Sequence, residues 1–494
     1  MLALVPNAQD RPTFLPPAKA GEAIRAKIDA SLPVTLTVAD AAARTGLALR
    51  DAENGLKWLS TEFRGQLRVT AGGELVHVFP AGFRKPWESR EKWDRVARAI
   101  GSAFMGGLRF VVRAWVMIVL VGYAAIFVGL VLGMAFARQG NDSNSRREGE
   151  LPGGALAYAF LRVIGDALFW TFHPWSPFSV YAAPAYGLPR AQRSREPRVP
   201  LYERVNRFFF GPPVPPHDPR EMEQLLVAMI RAGKGRIGLG DVMRITGLPR
   251  DQADPLMARL MLDYDGDVAV SEDGGILYRF TALRKTASDS AVPPEPPPAW
   301  ARIKPLPPIT GNSAGANFGV AALNAFNLAM GAWAIENGMT IERALHLFDR
   351  FPHPIADTGL PIVLGLVPLA FSALLFVLPI ARIATRPWKR RAAEQEKGRL
   401  SVLREVLERV KAKQPVTDSA VADAWRRATG RQPGKQLDRE LSTLGGDIAI
   451  EPSGATRWRF ADLETEAAAV LAEREGADSE EARLGDVVYA TDEH

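Results

Sequence analysis

The 494-residue chain has no cysteine, which excludes disulfides, thiolate metal sites, cysteine-ligated iron–sulfur clusters and thiol catalysis within it. Histidine is almost as scarce. The six, His77, His173, His217, His346, His353 and His494, are scattered without metal-site spacing. His77 occupies the place of Tyr278 and Trp458 in parallel segments and reads as a packing residue, while His346 and His353 share a solvated loop with Asp349 and Asp357. There is no Gly-x-Ser-x-Gly, no His-Glu-x-x-His and no phosphate-binding glycine motif. Gly233–Asp241 (GKGRIGLGD) is glycine-rich, but it falls at a turn between two helices and reads as a connector. The first residues lack a basic region followed by an apolar core, so no cleavable signal peptide is expected. These absences leave a non-enzymatic protein with no catalytic, cofactor or metal residues as the expectation.

What is present is a repeat. Thr45–Phe79 and Thr246–Phe280 align without a gap over 35 residues, with Gly46 over Gly247, Gly73 over Gly274 and Phe79 over Phe280. A looser third copy, Thr429–Phe460, also has a glycine, Gly454, six residues before its closing Phe. A recurring segment of this size is one supersecondary unit used several times. In the second copy Met222, Leu225, Leu226, Met229 and Ile230 form one apolar helix face. A short helix then stops at Gly247, a third covers about Arg250–Leu262, and Val268, Val270, Ile276, Tyr278 and Phe280 alternate on two strands joined by a Glu-Asp-Gly-Gly turn. Helix, helix, helix, hairpin is the order of a winged helix. The expected fold is therefore a mixed membrane protein, with three small α+β winged-helix-like modules (18–85, 217–285 and 395–463) attached to an α-helical transmembrane region of three or four membrane elements.

Three apolar stretches interrupt the modules. Ala114–Ala137 is uncharged over 24 residues, long enough at about 1.5 Å per residue to cross a hydrocarbon core of about 30 Å. Arg109 and Arg113 sit at one end of it and are expected to reach headgroups. A second span, 314–336, carries Asn317, Asn324 and Asn327, candidates for intramembrane polar contacts with neighbouring helices, or for a substrate contact. A third, 358–382, contains Pro361, Pro368 and Pro379 and is followed by Arg382, Arg386, Lys389, Arg390 and Arg391, candidate headgroup contacts. The positive-inside rule then puts the second and third modules in the cytoplasm. Parity places the first module outside unless Gly153–Phe172, which carries Arg162 and Asp166 and belongs to a segment 153–190, also crosses; equivalence of the modules favours a weak or re-entrant crossing, its internal charges favour an amphipathic helix lying in the interface, and the expectation leans to all modules on one side. A Pro-rich linker (289–310) reads as a semi-rigid spacer, residues 1–17 as an extension, and 464–494 as an acidic tail with most of its charge negative.

The patches Gly274–Ser288 (GGILYRFTALRKTAS), Arg207–Gly211 (RFFFG) and Val487–Glu493 (VVYATDE) resemble a family of uncharacterised plant chloroplast and cyanobacterial membrane proteins. Some plant members are described as iron–sulfur cluster biosynthesis family proteins. The resemblance implies the order module, span, aromatic segment, module, two-span hairpin and soluble tail, and at most an accessory part in cluster assembly. DNA binding by the third helix of each module is disfavoured, since Arg50 and Lys57, Arg250 and Arg259, and Lys435 and Arg439 are matched by acids on the same helices. The expected function is a protein-interaction scaffold or assembly factor in a bacterial inner membrane. Its partners are membrane lipids and an unidentified protein, and nucleic acid is disfavoured. The alternative is a membrane-tethered DNA-binding regulator, with a role in transport or cluster assembly ranked lower.

Overall fold

The second helix of the first copy, Val38–Thr45, shows why the repeat folds as it does. At its start the Thr37 hydroxyl accepts the Asp40 amide at 3.1 Å, and the Asp40 carboxylate accepts the Thr37 amide at 3.2 Å. At its end Gly46 turns the chain at a φ of 69°, a left-handed conformation that favours glycine. The second copy repeats this on Leu239–Thr246, where Asp241 accepts the Gly238 amide and Gly247 has a φ of 73°. In the third copy Thr417 caps Asp418–Thr429, and Gly430 closes it at a φ of 73°.

The structure is a computed structural model that describes residues 14–28, 33–80, 82–83, 115–135, 200–213, 218–287, 293–346, 359–434, 436–450, 456–477 and 484–491. Within these, a third helix follows each left-handed turn: Leu49–Glu62, Arg250–Tyr264 and Gln436–Thr443. A hairpin follows each of those helices. Its outer strand pairs with the inner one, and the inner one pairs with a short strand just before the second helix, giving three small sheets of one topology. That short strand (Val34–Leu36, Arg236–Ile237, Val416–Thr417) is too brief to have a sequence periodicity of its own. Phe79, Phe280 and Phe460 end the hairpins and are fully buried, each contributing about 1.5–3 kcal/mol of side-chain transfer. A glycine lies under every one of these rings. A Cβ at Gly65, Gly266 or Gly446 would come within 2.6, 2.5 and 2.9 Å of the respective ring.

The sequence reads as separate modules, but the described copies share one continuous hydrophobic core. It runs through Ile24, Leu56 and Phe79, then Ile230, Met257 and Phe280, then Val406, Trp425 and Phe460. Met1–Ser89, Pro216–Pro305 and Lys389–His494 accordingly form one compact unit. Two described parts of the segment expected as an acidic tail form secondary structure. Ala461–Gly476 is a helix, as its Ala/Glu-rich composition favours, and Val487–Ala490 is a strand added to Gln66–Thr70 at the edge of the first sheet.

A second unit, Arg90–Pro215 and Leu306–Trp388, holds the apolar helices. Among the described residues three helices are long and apolar enough to cross a membrane: Trp115–Ala135, Ala314–Glu336 and Ile362–Lys411. The last differs from the expected separate elements, because Val367–Lys411 is one helix that joins the third span to the first helix of the third module. Residues 382–399 are rich in helix formers, with Arg390 and Glu394 paired one turn apart. The helix begins with a wide π turn, Ile362–Leu366, just before Pro368, which has no amide hydrogen to donate. Within this unit Gly331 permits close approach: a Cβ there would lie 2.9 Å from the Leu369 nitrogen. The apolar side chains Ile118, Ile126, Phe318, Leu366, Leu374, Val377 and Ile380 face outward, as lipid-contacting residues would.

Candidate functional site

The residues that the sequence marks fall into two groups, one in each unit. In the apolar unit Asn324 and Asn327 are fully buried on the helix Ala314–Glu336. The Asn324 amide nitrogen donates to the Ser372 carbonyl at 2.9 Å, and that of Asn327 to the Leu120 carbonyl at 2.7 Å. Each asparagine thus ties the middle helix to a different neighbour, at about 0.6–2 kcal/mol per bond in an apolar medium. Asn317 lies about two to three turns earlier on the same helix. Arg382 turns inward and donates to the Phe208 carbonyl and to that of Ile309 at 2.6 Å, while Arg386 donates to the Pro307 carbonyl at 3.3 Å. Gly211, with a φ of 88°, leaves room for the Arg382 guanidinium. Lys389, Arg390 and Arg391 are exposed, and Arg390 pairs with Glu394 at 3.0 Å. Arg109, Arg113 and the segment Gly153–Phe172 lie outside the described residues.

In the other unit the three modules meet through equivalent surfaces. The left-handed turn of the first module lies against the opening helix of the second. A Cβ on Gly46 would stand 3.0 Å from the Arg220 carbonyl and 3.1 Å from the Gln224 nitrogen. Gln224 donates to the Thr45 carbonyl at 3.2 Å, and the buried Tyr264 hydroxyl donates to that of Gly46 at 3.2 Å. The same end of the second module lies against the third. A Cβ on Gly247 would meet Leu400 at 2.7 Å and Ala299 at 3.0 Å, and Arg399 donates to the Gly247 carbonyl at 2.6 Å.

A second contact repeats alongside the first. The residues after the second hairpin cover the start of the first module's second helix. Thr37 donates to the Lys285 carbonyl at 2.8 Å, Ala287 donates its amide to Asp40 at 2.9 Å, and Lys285 pairs with Glu74 at 2.5 Å. The helix after the third hairpin, Ala461–Gly476, does the same to the second module. Glu466 accepts the Gly240 amide at 2.8 Å, and Arg474 pairs with Asp241 at 2.6 Å. A Cβ on Gly275 would lie 2.5 Å from the Thr465 carbonyl. Burial and the nearby Asp241 and Asp254 push the Glu466 carboxyl up to about 8, against the opposing Gly240 hydrogen bond. The modules are therefore joined head to tail through one type of junction used twice.

Four cations of the third helices have partners in this unit. Arg50 stacks over Phe14, Lys57 pairs with Glu53 at 2.6 Å, Arg250 with Asp462 at 2.7 Å, and Arg259 with Asp263 at 3.2 Å. His77 is buried beside Ser60, with its ring nitrogen 2.7 Å from the hydroxyl, and burial lowers its pKa to about 4. Among the described residues no group of three or more His, Asp or Glu gathers as a metal site.

Sequence reasoning missed the glycines under the closing rings, although the signal is there: Gly65, Gly266 and Gly446 each stand fourteen residues before their Phe. It also missed the junctions, because Tyr264, Gln224 and Arg399 are ordinary helix residues until their partners are known. The three family-like patches are all contact residues. Lys285–Ala287 bind the first module, Phe208 and Phe209 pack among the apolar helices, and Val487–Ala490 complete the first sheet.

No protein-family profile matches the chain, and no solved structure does. It is similar to an uncharacterised chloroplastic protein of Arabidopsis thaliana, 23% identical over 261 residues, which is 52% of this chain. The chain spans 47% of the length of that relative.

Proposed function

We propose that this chain is a non-enzymatic, membrane-anchored scaffold whose three winged-helix-like modules form one body on a single face of a bacterial inner membrane. The observation that carries the reading is the head-to-tail junction. The turn between the second and third helices, and the end of the middle module's third helix, are engaged here in holding neighbouring modules. Four of the six cations named on the third helices, Arg50, Lys57, Arg250 and Arg259, each have a partner in the same chain. Three apolar helices anchor this body, with Asn324 and Asn327 holding them together.

The shared core also supports one-sidedness. Modules that bury side chains against each other occupy one compartment, so the chain crosses an even number of times between consecutive modules. Ala314–Glu336 and Ile362–Lys411 are long enough for two crossings between the second and third modules; Trp115–Ala135 is long enough for one between the first and second, so the reading requires a further crossing there, for which the sequence offers Gly153–Phe172, outside the described residues. The basic run after the third span favours the cytoplasmic face.

Single cysteines at Thr61, Glu272 and Gln432 would test sidedness against a background with no native cysteine. All three should react with an impermeant thiol reagent from the same side. Reaction of the first from the opposite side to the other two would overturn the reading. Purified full-length protein should also fail to retain duplex DNA at low salt; salt-sensitive retention would favour the tethered regulator, which the helix order alone supports.

A further inference from the structure

The head-to-tail series has a third acceptor end, and no described residue packs on its glycine. Thr45-Gly46-Leu47 and Thr246-Gly247-Leu248 are covered by the next module, whereas a Cβ on Gly430 would have nothing within 4 Å. The residue after this glycine changes accordingly. Leu47 is 2% exposed, but Arg431 replaces leucine in the third copy and its side chain is 69% exposed. Arg426 and Arg427, on the last turn of the same helix, are likewise exposed. An unfilled end of a repeat array needs a polar outer face, but either charge or neutral polar residues would meet that need. Here the face is basic.

This end also adjoins the chain as it leaves the apolar span. Glu394 accepts Arg390 at 3.0 Å and Arg431 at 3.3 Å, so one carboxylate holds the turn of the third module beside the run Lys389, Arg390, Arg391. Those three residues directly follow Trp388 in sequence, where the apolar unit ends. The six cations Lys389, Arg390, Arg391, Arg426, Arg427 and Arg431 outnumber the acids that pair with them, Glu394, Glu405 and Asp423.

We propose that the open end of the third module docks on the anionic lipid surface of the membrane that anchors the chain, with lipid phosphates meeting the face that the next module covers at the first two ends. The proposal rests on the membrane-anchored, one-sided reading above. Three features point to a bilayer as occupant: excess positive charge, continuity with a membrane-spanning helix, and replacement of the apolar junction residue by arginine. Each lysine or arginine near an anionic surface contributes about fivefold to binding. The effect is short-ranged, with a screening length of about 10 Å at 0.1 M salt.

The test uses the full chain with Gln432→Cys carrying a fluorophore, reconstituted into vesicles that include a headgroup-quencher lipid. The vesicles are either phosphatidylcholine alone or phosphatidylcholine with phosphatidylglycerol. Quenching should be strong only with phosphatidylglycerol and be suppressed at about 1 M salt, where the screening length falls to about 3 Å. Arg427→Glu with Arg431→Glu should weaken the lipid-dependent quenching at least tenfold, while a label at Glu272→Cys stays unaffected. Equal quenching in both vesicles, no quenching in either, or quenching indifferent to charge reversal would overturn the proposal. So would self-crosslinking of the unlabelled Gln432→Cys variant, or displacement of the signal by duplex DNA and not by free anionic lipid. Sidedness of all labelled sites is read separately with an impermeant reagent. A correctly sided protein with no lipid signal overturns this proposal alone, and a wrongly sided one overturns the scaffold reading beneath it.

Discussion

Gly46, Gly247 and Gly430 end equivalent helices at φ values of 69°, 73° and 73°, so alanine meets the same backbone strain at each. The surroundings differ, and that predicts an order. Gly430→Ala should cost only the strain, about 1–2 kcal/mol. Gly247→Ala should cost more, because a methyl would press on Leu400 and Ala299, although the leucine end can yield. Gly46→Ala should cost most, since its contacts include the Arg220 carbonyl and the Gln224 nitrogen, which are backbone. Urea unfolding of the three variants checks the order, and equal losses would mean the junctions contribute nothing. Glu466 gives a second residue-scale prediction. Its folded pKa of about 8 lies above its ordinary 4.5, so the folded state holds the proton more tightly, and its contribution declines as pH rises from about 4.5 to 8. His77 acts in the opposite sense over a lower window, because its folded pKa is about 4 against 6.5, so stability is lost as pH falls from about 6.5 to 4. Glu466→Gln should flatten the fall in melting temperature as pH rises from about 4.5 to 8 and leave the fall attributed to His77 unchanged. A full slope over that window in the variant would assign the effect to another group.

At the scale of elements, the strand Val487–Ala490 joins the edge of the first sheet from the far end of the chain. Ala71 donates to the Asp486 carbonyl at 2.8 Å, Leu67 donates to the Thr491 hydroxyl at 2.9 Å, and Thr491 donates back to the Leu67 carbonyl at 3.0 Å. Ending the chain at Asp478 should therefore expose the edge of Gln66–Thr70 and raise hydrogen exchange at the Leu67 amide, with little change at Leu277 in the second module. Unchanged protection at Leu67 would show that the added strand is dispensable. The helices and hairpins of the modules were legible because apolar spacing, left-handed glycines and closing Phe residues act over short distances. The strand before each second helix was not, since Arg236–Ile237 is only two residues long and is defined by its partner. The continuity of Val367–Lys411 was hidden by Pro387 and the basic run around it, which local rules treat as the end of a span. The destination of VVYA was beyond local reasoning altogether, because an edge-strand pairing across hundreds of residues leaves no periodic trace. Of the candidate residues, Asn324 and Asn327 stood out as amides in an apolar run, but only the fold supplies their partners, Ser372 and Leu120.

For the whole molecule, a core shared by three modules makes a thermodynamic claim that separate modules would not. Side chains from all three bury against one another, so loss of one module leaves apolar surface of the others in water. The module-bearing unit should then unfold as one cooperative transition, distinct from the apolar unit, which unfolds in detergent or lipid by its own rules. Phe280→Ala, at the closing ring of the middle module, should destabilise by about 3–5 kcal/mol, and that loss should reach the modules on both sides. Tyr264→Phe is the milder companion. It removes only the hydroxyl that donates to the Gly46 carbonyl, for about 0.5–1.5 kcal/mol, and leaves the ring in place. Hydrogen exchange of the full chain in detergent reads both variants, with the Leu56 amide reporting the first module and the Leu441 amide the third. Protection at the two should fall together and by similar free energies when Phe280 is truncated. If only the second module loses protection, the modules are independent beads, and the scaffold reading loses the rigid body on which it depends.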